Sequence, residues 1–288
     1  MTDHDQAAAL GEGVRALGMD FNPGTLAATR ALYAPHVPAA DPAVPQRLDI
    51  PYGAHERQVL DIHGSNDGPG ILFIHGGGFV AGNKRGDETF YGNIGRAFAT
   101  RGIQAALANY RLAPGSTWPS GIEDVRAAVE TLGRETGLGV DRPLVLVAQS
   151  AGASHAAGYL FAAEHAQHAE SHLSGCVLMS GYYGTAHEQH PGAFAYFGEP
   201  QAHAARCPIH QVKAVAMPLL LTVSEFDPPR IAVQTYELAE RLTLALGRSP
   251  ALRWFEGHNH VSTVHSIGTP QDDVLQALLG FVRRCAAR

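Results

Sequence analysis

Short apolar runs recur along the chain, each ended by glycine, proline or a small polar cluster and most followed by a stretch of helical periodicity. Ile71-Leu72-Phe73-Ile74, Ile103–Ala108, Leu144-Val145-Leu146-Val147, Cys176–Met179 and Met217–Val223 read as buried strands, and Ala251–Phe255 as a further short one. Two strands near Arg47–Ile50 and Gln58–Ile62 fit an antiparallel start to the sheet. Helices are predicted over Thr89–Thr100, over Gly121–Glu135, and from Ala151 to about His165. A last helix, about Asp272 to Arg283, would turn Val274, Leu275, Leu278, Leu279 and Phe281 inward. This alternation predicts an α/β fold, a mostly parallel central sheet flanked by helices on both faces, with its functional loops at the carboxyl ends of the strands.

Ahead of the sheet, helix formers at Ala7–Leu17 and Thr25–Tyr33 precede a proline-rich stretch from Pro35 to Pro45. The organisation expected is an N-terminal cap segment, 1–45, that is mobile, and a main domain, 46–288, carrying a lid at about 181–211. With 288 residues and 45% hydrophobic content, one large core is within reach. A net charge of −6 lacks the basic face needed to bind nucleic acid or an anionic membrane. No apolar run is long enough to span a bilayer, and the first residues lack the features of a secretory leader. Cys176, Cys207 and Cys285 are odd in number and widely spaced, which fits reduced thiols in the cytoplasm. Sixteen histidines invite a metal, but neither His165/His168 nor His258/His260 has the H-E-x-x-H carboxylate. No metal and no cofactor are expected, and a homodimer is left open.

The chemistry-bearing signal is Ala148-Gln149-Ser150-Ala151-Gly152, directly after an apolar strand. A serine on a tight strand-to-helix turn, among small neighbours, reads as a nucleophile elbow of the G-x-S-x-G form with alanine at the first glycine. Upstream, Ile71–Ile74 runs into His75-Gly76-Gly77-Gly78-Phe79. Successive glycines let backbone N–H groups approach a bound oxygen. Gly77 and Gly78, with Ala151, are the candidate oxyanion donors, and losing one such donor costs on the order of 100- to 1000-fold in rate. Gly76-x-Gly78-x-x-Ala81 also satisfies a loose dinucleotide pattern, but the next strand ends in Asn109-Tyr110-Arg111 without the ribose-binding acid. Asp227, in Ser224-Glu225-Phe226-Asp227-Pro228-Pro229, is the candidate orienting acid, with Glu225 its rival. His260, in Gly257-His258-Asn259-His260-Val261-Ser262, is preferred over His258 as the base.

The order Ser150, Asp227, His260 is the one found in α/β-hydrolases. With His75-Gly76-Gly77-Gly78-Phe79, the elbow, and Tyr110-Arg111-Leu112-Ala113-Pro114, the chain from about 45 to 288 resembles the carboxylesterase branch related to hormone-sensitive lipase. It departs from the G-D-S-A-G elbow at Ala148-Gln149. Its acid and histidine loops look closer to those of arylformamidase-like relatives, and that resemblance places His260 in the base position. What the resemblance implies is a serine hydrolase that cleaves carboxylic esters through an acyl-enzyme. An amide or formamide hydrolase using the same residues is one alternative, and a ligand-binding relative without turnover is another.

Substrate preference is expected to come from an aromatic pocket. Phe79, Trp118, Tyr182, Tyr183 and Phe197 are the candidate lining, suited to a small neutral or aromatic molecule. Arg206 and Arg230 are candidate anchors for a carboxylate, with nothing in the sequence to fix their direction.

Overall fold

A computed structural model describes residues 2–65, 67–86, 89–184 and 190–288. Eight strands form one sheet in the order β1-β2-β4-β3-β5-β6-β7-β8. They are β1 (Gln46–Pro51), β2 (Val59–His63), β3 (Gly70–Ile74), β4 (Gln104–Ala108), β5 (Leu144–Gln149), β6 (Gly175–Met179), β7 (Leu219–Phe226) and β8 (Ala251–Asn259). β2 runs antiparallel to both of its neighbours, and β3 to β8 are mutually parallel. The predicted antiparallel start is therefore present, and every expected strand is found.

The continuous apolar runs follow from burial on both faces, which is what parallel strands require. Every residue of β3, β4, β5 and β6 is buried. Alternate positions divide between two cores. Leu72, Ile74, Leu146, Ala148 and Leu178 face one side, whereas Ile71, Phe73, Val145, Val147, Val177 and Met179 face the other. The first core is covered by α4 (Ser120–Thr136) and α5 (Ala151–Phe161), the second by α3 (Gly92–Ala99) and α11 (Asp273–Ala286). In α11 the five positions expected to point inward are all buried. α9 (Pro229–Leu246) follows β7, and the short α10 (Ser262–His265) follows β8.

One helix differs from expectation. The segment predicted to run from Ala151 to about His165 ends at Phe161, Ala162 is extended at ψ 132°, and α6 (Ala163–His172) starts afresh. No glycine or proline marks this break. The change of direction lets α6 lay His165, Ala166 and Ala169 back against α4 and α5, which a straight continuation could not do.

The first helices, α1 (Asp3–Leu17) and α2 (Pro23–Tyr33), lie on the body of the fold. α1 packs on β8 and α2 on α10. Leu10, Val14 and Tyr33 form a small buried cluster with Phe90. Tyr33 hydrogen-bonds Gln271, Thr29 accepts the Asn259 amide at 2.8 Å, and Arg15 pairs with Glu225 at 3.0 Å. In the lid region, α7 (Pro191–Phe197), α8 (Pro200–Arg206) and a turn at Pro208–His210 are present, and positions 185–189 of the expected lid lie outside the described residues. Among the described residues, no helix is long and apolar enough to cross a membrane.

Four buried histidines give the fold a pH dependence. Burial pushes His63 and His75 down to about 4, and His155 and His265 down to about 3. Their neutral forms are therefore favoured in the folded state, and unfolding takes up protons below the ordinary imidazole range near 6.5. Stability is held above that range and lost as the pH falls, by up to about 1.4 kcal/mol per pH unit for each histidine. Urea unfolding followed at pH 7 and pH 5 will show a lower midpoint at pH 5; equal midpoints would contradict this account.

Candidate active site

The site is assembled from the carboxyl ends of β3, β5, β7 and β8. β5 delivers Ser150 in a strained conformation, φ 56° and ψ −123°, and α5 starts at the next residue. Such a backbone costs on the order of 1–3 kcal/mol and persists only when its surroundings over-determine it. Here they do. The Ser150 amide donates to Met179 at 2.9 Å, continuing the β5–β6 ladder, and every residue of α5 is buried. Gly152 lies so close to the end of β3 that a Cβ would sit 2.4 Å from the Ile74 carbonyl oxygen and 2.5 Å from that of His75. Ala148, the departure from glycine, is instead buried in the main core, where its methyl is packed. The tight point of the elbow is thus residue 152 rather than residue 148.

Past β3, the glycine loop turns under the serine. Gly77 has φ 138°, and a Cβ there would come within 2.0 Å of the Ala81 carbonyl oxygen; Gly78 has φ 58°. His75 Nδ1–H donates to the Gly76 carbonyl at 2.6 Å, and its ring stacks on Tyr110 at 4.5 Å. Among the described residues, no acceptor takes the Gly77 or Gly78 amide. Gly77, Gly78 and Ala151 line one cavity with Ser150. A phosphate-cradling role would need a helix to start on these glycines, and α3 begins only at Gly92.

Asp227 and His260 come from the neighbouring strand ends. His260 Nε2 lies 2.9 Å from Ser150 Oγ, and Nδ1 lies 2.8 Å from Asp227 Oδ1. Asp227 Oδ2 also accepts the Ser224 amide at 2.7 Å and the Ser180 hydroxyl at 2.6 Å. Three donors thus hold a carboxylate only 4% exposed, as a buried charge requires. Bonding to that carboxylate puts the ring proton on Nδ1, leaving Nε2 as acceptor for the serine hydroxyl. The backbone carbonyl of His260 accepts the Gln149 side-chain amide at 3.0 Å, a tie between β5 and the histidine loop. Glu225, the rival acid, is turned away, accepting the Gly257 amide at 2.8 Å and pairing with Arg15. His258 is turned away as well, with Nδ1 2.9 Å from Ser262 Oγ and Nε2 3.0 Å from Asp273.

The cavity above Ser150 has a volume of about 370 Å³. Of the expected lining, Phe79 and Tyr182 border it, whereas Trp118, Tyr183 and Phe197 do not. Trp118 donates its amide to the Tyr196 carbonyl at 2.9 Å and packs under the Arg206 guanidinium. Tyr183 is fully buried, its amide held by Gln234 at 2.7 Å. Phe197 lies behind the wall, edge-on to Phe79 at 5.3 Å. Arg206 also donates to the Phe197 carbonyl at 2.8 Å, so it holds the lid together rather than facing the cavity. Missed from the sequence were Phe21, Leu26, His190 and Ile231, which line the cavity beside Arg230. Phe21 sits edge-on to His260, with centroids 4.9 Å apart, and under the Arg230 guanidinium at 5.9 Å. No local pattern signals a contact made across 239 positions of sequence, 260 less 21. Among the described residues, no group of three or more His, Cys, Asp or Glu is placed to hold a metal.

Comparison with known proteins agrees with this architecture. Residues 60–177 match the BD-FAE family. No curated protein sequence matches the chain. Solved structures do. An esterase from the bacterial hormone-sensitive lipase family superposes with a TM-score of 0.72 at 20% identity, covering 99% of this chain and 100% of that one. An esterase/lipase from an uncultured bacterium gives 0.71 at 21% identity, covering 98% and 99%. The hyperthermophilic esterase of the archaeon Pyrobaculum calidifontis gives 0.67 at 19% identity, covering 100% and 91%.

The elbow makes a direct prediction. Gly152→Ala will destabilise the protein by about 3 kcal/mol or more, because backbone carbonyls cannot yield to the new methyl. Ala148→Gly will cost only about 1 kcal/mol through added chain entropy and a lost methyl contact. Melting temperatures of the two variants check the order; the reverse order would place the tight point at residue 148.

Proposed function

We propose that this chain, which has the α/β-hydrolase fold and resembles esterases related to hormone-sensitive lipase, is a serine hydrolase of carboxylic esters. The observation that carries the reading is the hydrogen-bonded chain Ser150–His260–Asp227 beside a cavity that Gly77, Gly78 and Ala151 also line. In this reading the Ser150 hydroxyl attacks the ester carbonyl and passes its proton to His260 Nε2. Asp227 keeps the imidazole in the accepting tautomer and balances the charge it gains. The carbonyl oxygen becomes an oxyanion facing the three amides, which are fixed before the reaction and need no reorganisation. His260 then gives the proton to the leaving alcohol, leaving an acyl-enzyme. Water, deprotonated by the same imidazole, releases the acid and restores Ser150.

The size and apolar walls of the cavity support a small molecule as the partner, a modest ester with aromatic or aliphatic parts. Three unpaired, buried cysteines support a reducing compartment, the cytoplasm.

A fluorophosphonate will label the folded protein at Ser150, read by peptide mass spectrometry, and Ser150→Ala will abolish labelling. His260→Ala will lower kcat for p-nitrophenyl esters by about 10⁴-fold or more, whereas His258→Ala acts on stability and leaves kcat within about tenfold. Equal losses in kcat for the two histidines would remove the assignment, and faster turnover of an N-formyl arylamine than of any ester would move the activity to the amide class.

A further inference from the structure

His190 stands at the start of α7 with its two ring nitrogens committed differently. Nδ1 accepts the Gly192 amide at 3.1 Å and so caps the helix. A neutral imidazole that accepts at Nδ1 carries its proton on Nε2. Burial, and after it the positive charge of Arg230, pushes the His190 pKa down and favours that neutral form. Among the described residues, no acceptor takes the Nε2 proton. The ring lies against the glycine loop: a Cβ built on Gly78 would come within 3.1 Å of His190 Cε1 and 3.7 Å of Nε2. His190 also borders the cavity that holds Ser150. His190, with an N–H that no described residue accepts, therefore borders an otherwise mostly apolar cavity beside the proposed oxyanion donors.

The two sides of the reacting carbonyl can be told apart. The leaving oxygen must face His260, which protonates it, and the carbonyl oxygen must face Gly77 and Gly78. The third substituent of the carbonyl carbon is the first carbon of the acyl chain, which is left to the rest of the cavity lining, His190 included. We propose that His190 is a specificity-determining residue whose Nε2–H binds an oxygen on that acyl carbon, so that the favoured substrates are esters of 2-hydroxy, 2-alkoxy or 2-oxo acids. A substrate with CH₂ in place of that oxygen leaves the donor unmet in a half-buried site, which is how a hydrogen-bonding pocket rejects an isostere. The proposal rests on the ester-hydrolase reading.

The test compares p-nitrophenyl methoxyacetate with p-nitrophenyl butanoate, which differ by O for CH₂ in the acyl chain. The quantity read is the ratio of their kcat/KM values in the wild type and in variants, which cancels their intrinsic difference in reactivity. His190→Asn keeps a strong N-cap for α7 but is too short to reach the cavity. It will lower the ratio by about tenfold, methoxyacetate losing far more than butanoate. His190→Gln, which restores a donor amide, will retain most of the ratio. If the asparagine variant melts well below the wild type, His190→Phe, with similar ring volume and no donor, decides the matter by the same ratio. An unchanged ratio, or an equal loss on both esters, overturns the proposal. Wild-type protein that turns over neither ester defeats the hydrolase reading itself, and the proposal with it.

Discussion

The candidate site of this protein depends on one close approach, that of Gly152 to the carbonyl oxygens of Ile74 and His75. It brings the first turn of α5 against the end of β3, leaving no space for a side chain. Two consequences follow from that contact. Ser150, two residues earlier, is forced into φ 56° at the top of the sheet, and the glycine loop that continues from β3 starts beside it. Ser150 and the candidate oxyanion donors are therefore referenced to the same pair of hydrogen-bonded strands, β3 and β5. Backbone geometry fixed by a sheet is stiffer than any side-chain contact, so the spacing needs no ligand to set it.

The polar groups beneath this edge are held with similar economy. Asp227 is satisfied three times over, and the loop beyond Phe79 is tied to the antiparallel end of the sheet by buried charge. Lys84, 1% exposed, pairs with Asp49 at 2.6 Å and Asp61 at 2.7 Å, and Arg57 donates to the carbonyls of Tyr110 and Gly82 at 2.8 Å each. Removing Asp61, the wholly buried partner, would leave the Lys84 ammonium with only the half-exposed Asp49, a larger penalty than the net worth of that pair. The early strands β1 and β2, remote from the chemistry, thus help to hold the loop that continues from the glycines. On the other side, Thr29 and Phe21 contact Asn259 and His260 of the histidine loop, and Arg15 pairs with Glu225 at the end of β7.

What was legible in the sequence is what local pattern determines. Strands buried on both faces write themselves as apolar runs, and Ser150, Asp227 and His260 stand where such runs end, so fold class and the three linked residues could be read together. His260 was separable from His258 only by resemblance; physically, His258 is claimed by Ser262 and Asp273. The pocket was not legible. Trp118, Tyr183 and Phe197 are aromatic residues near the right loops, yet each is spent on holding the lid to the body, because large rings stabilise most when fully buried. Phe21 and Leu26, which do face the cavity, come from the front of the chain, where nothing local connects them to the histidine loop. The break at Ala162 was equally invisible, since alanine suits a helix and only packing against α4 and α5 ends it.

α7 and the glycine loop pack directly on each other, and that bears on how substrate selection would relate to rate in the proposed reaction. Phe79, next to Gly78, stacks face to face on Tyr196 of α7 at 5.2 Å. The Tyr196 hydroxyl in turn accepts the Gly121 amide of α4 at 3.0 Å, and its carbonyl accepts from Trp118. At the start of the same helix, Gly192 approaches the Gly78 carbonyl oxygen so closely that a Cβ would lie 1.9 Å from it. A shift of α7 would therefore press on the backbone of the glycine loop. In the proposed reaction, oxyanion stabilisation depends on donors placed in advance, so sequence changes in α7 would reach kcat as well as KM. A lid that only covered the cavity would tune binding alone. In the proposed reaction, the helix that His190 caps therefore also bears on the position of the candidate donors, which would couple the choice of substrate to the stabilisation of its transition state.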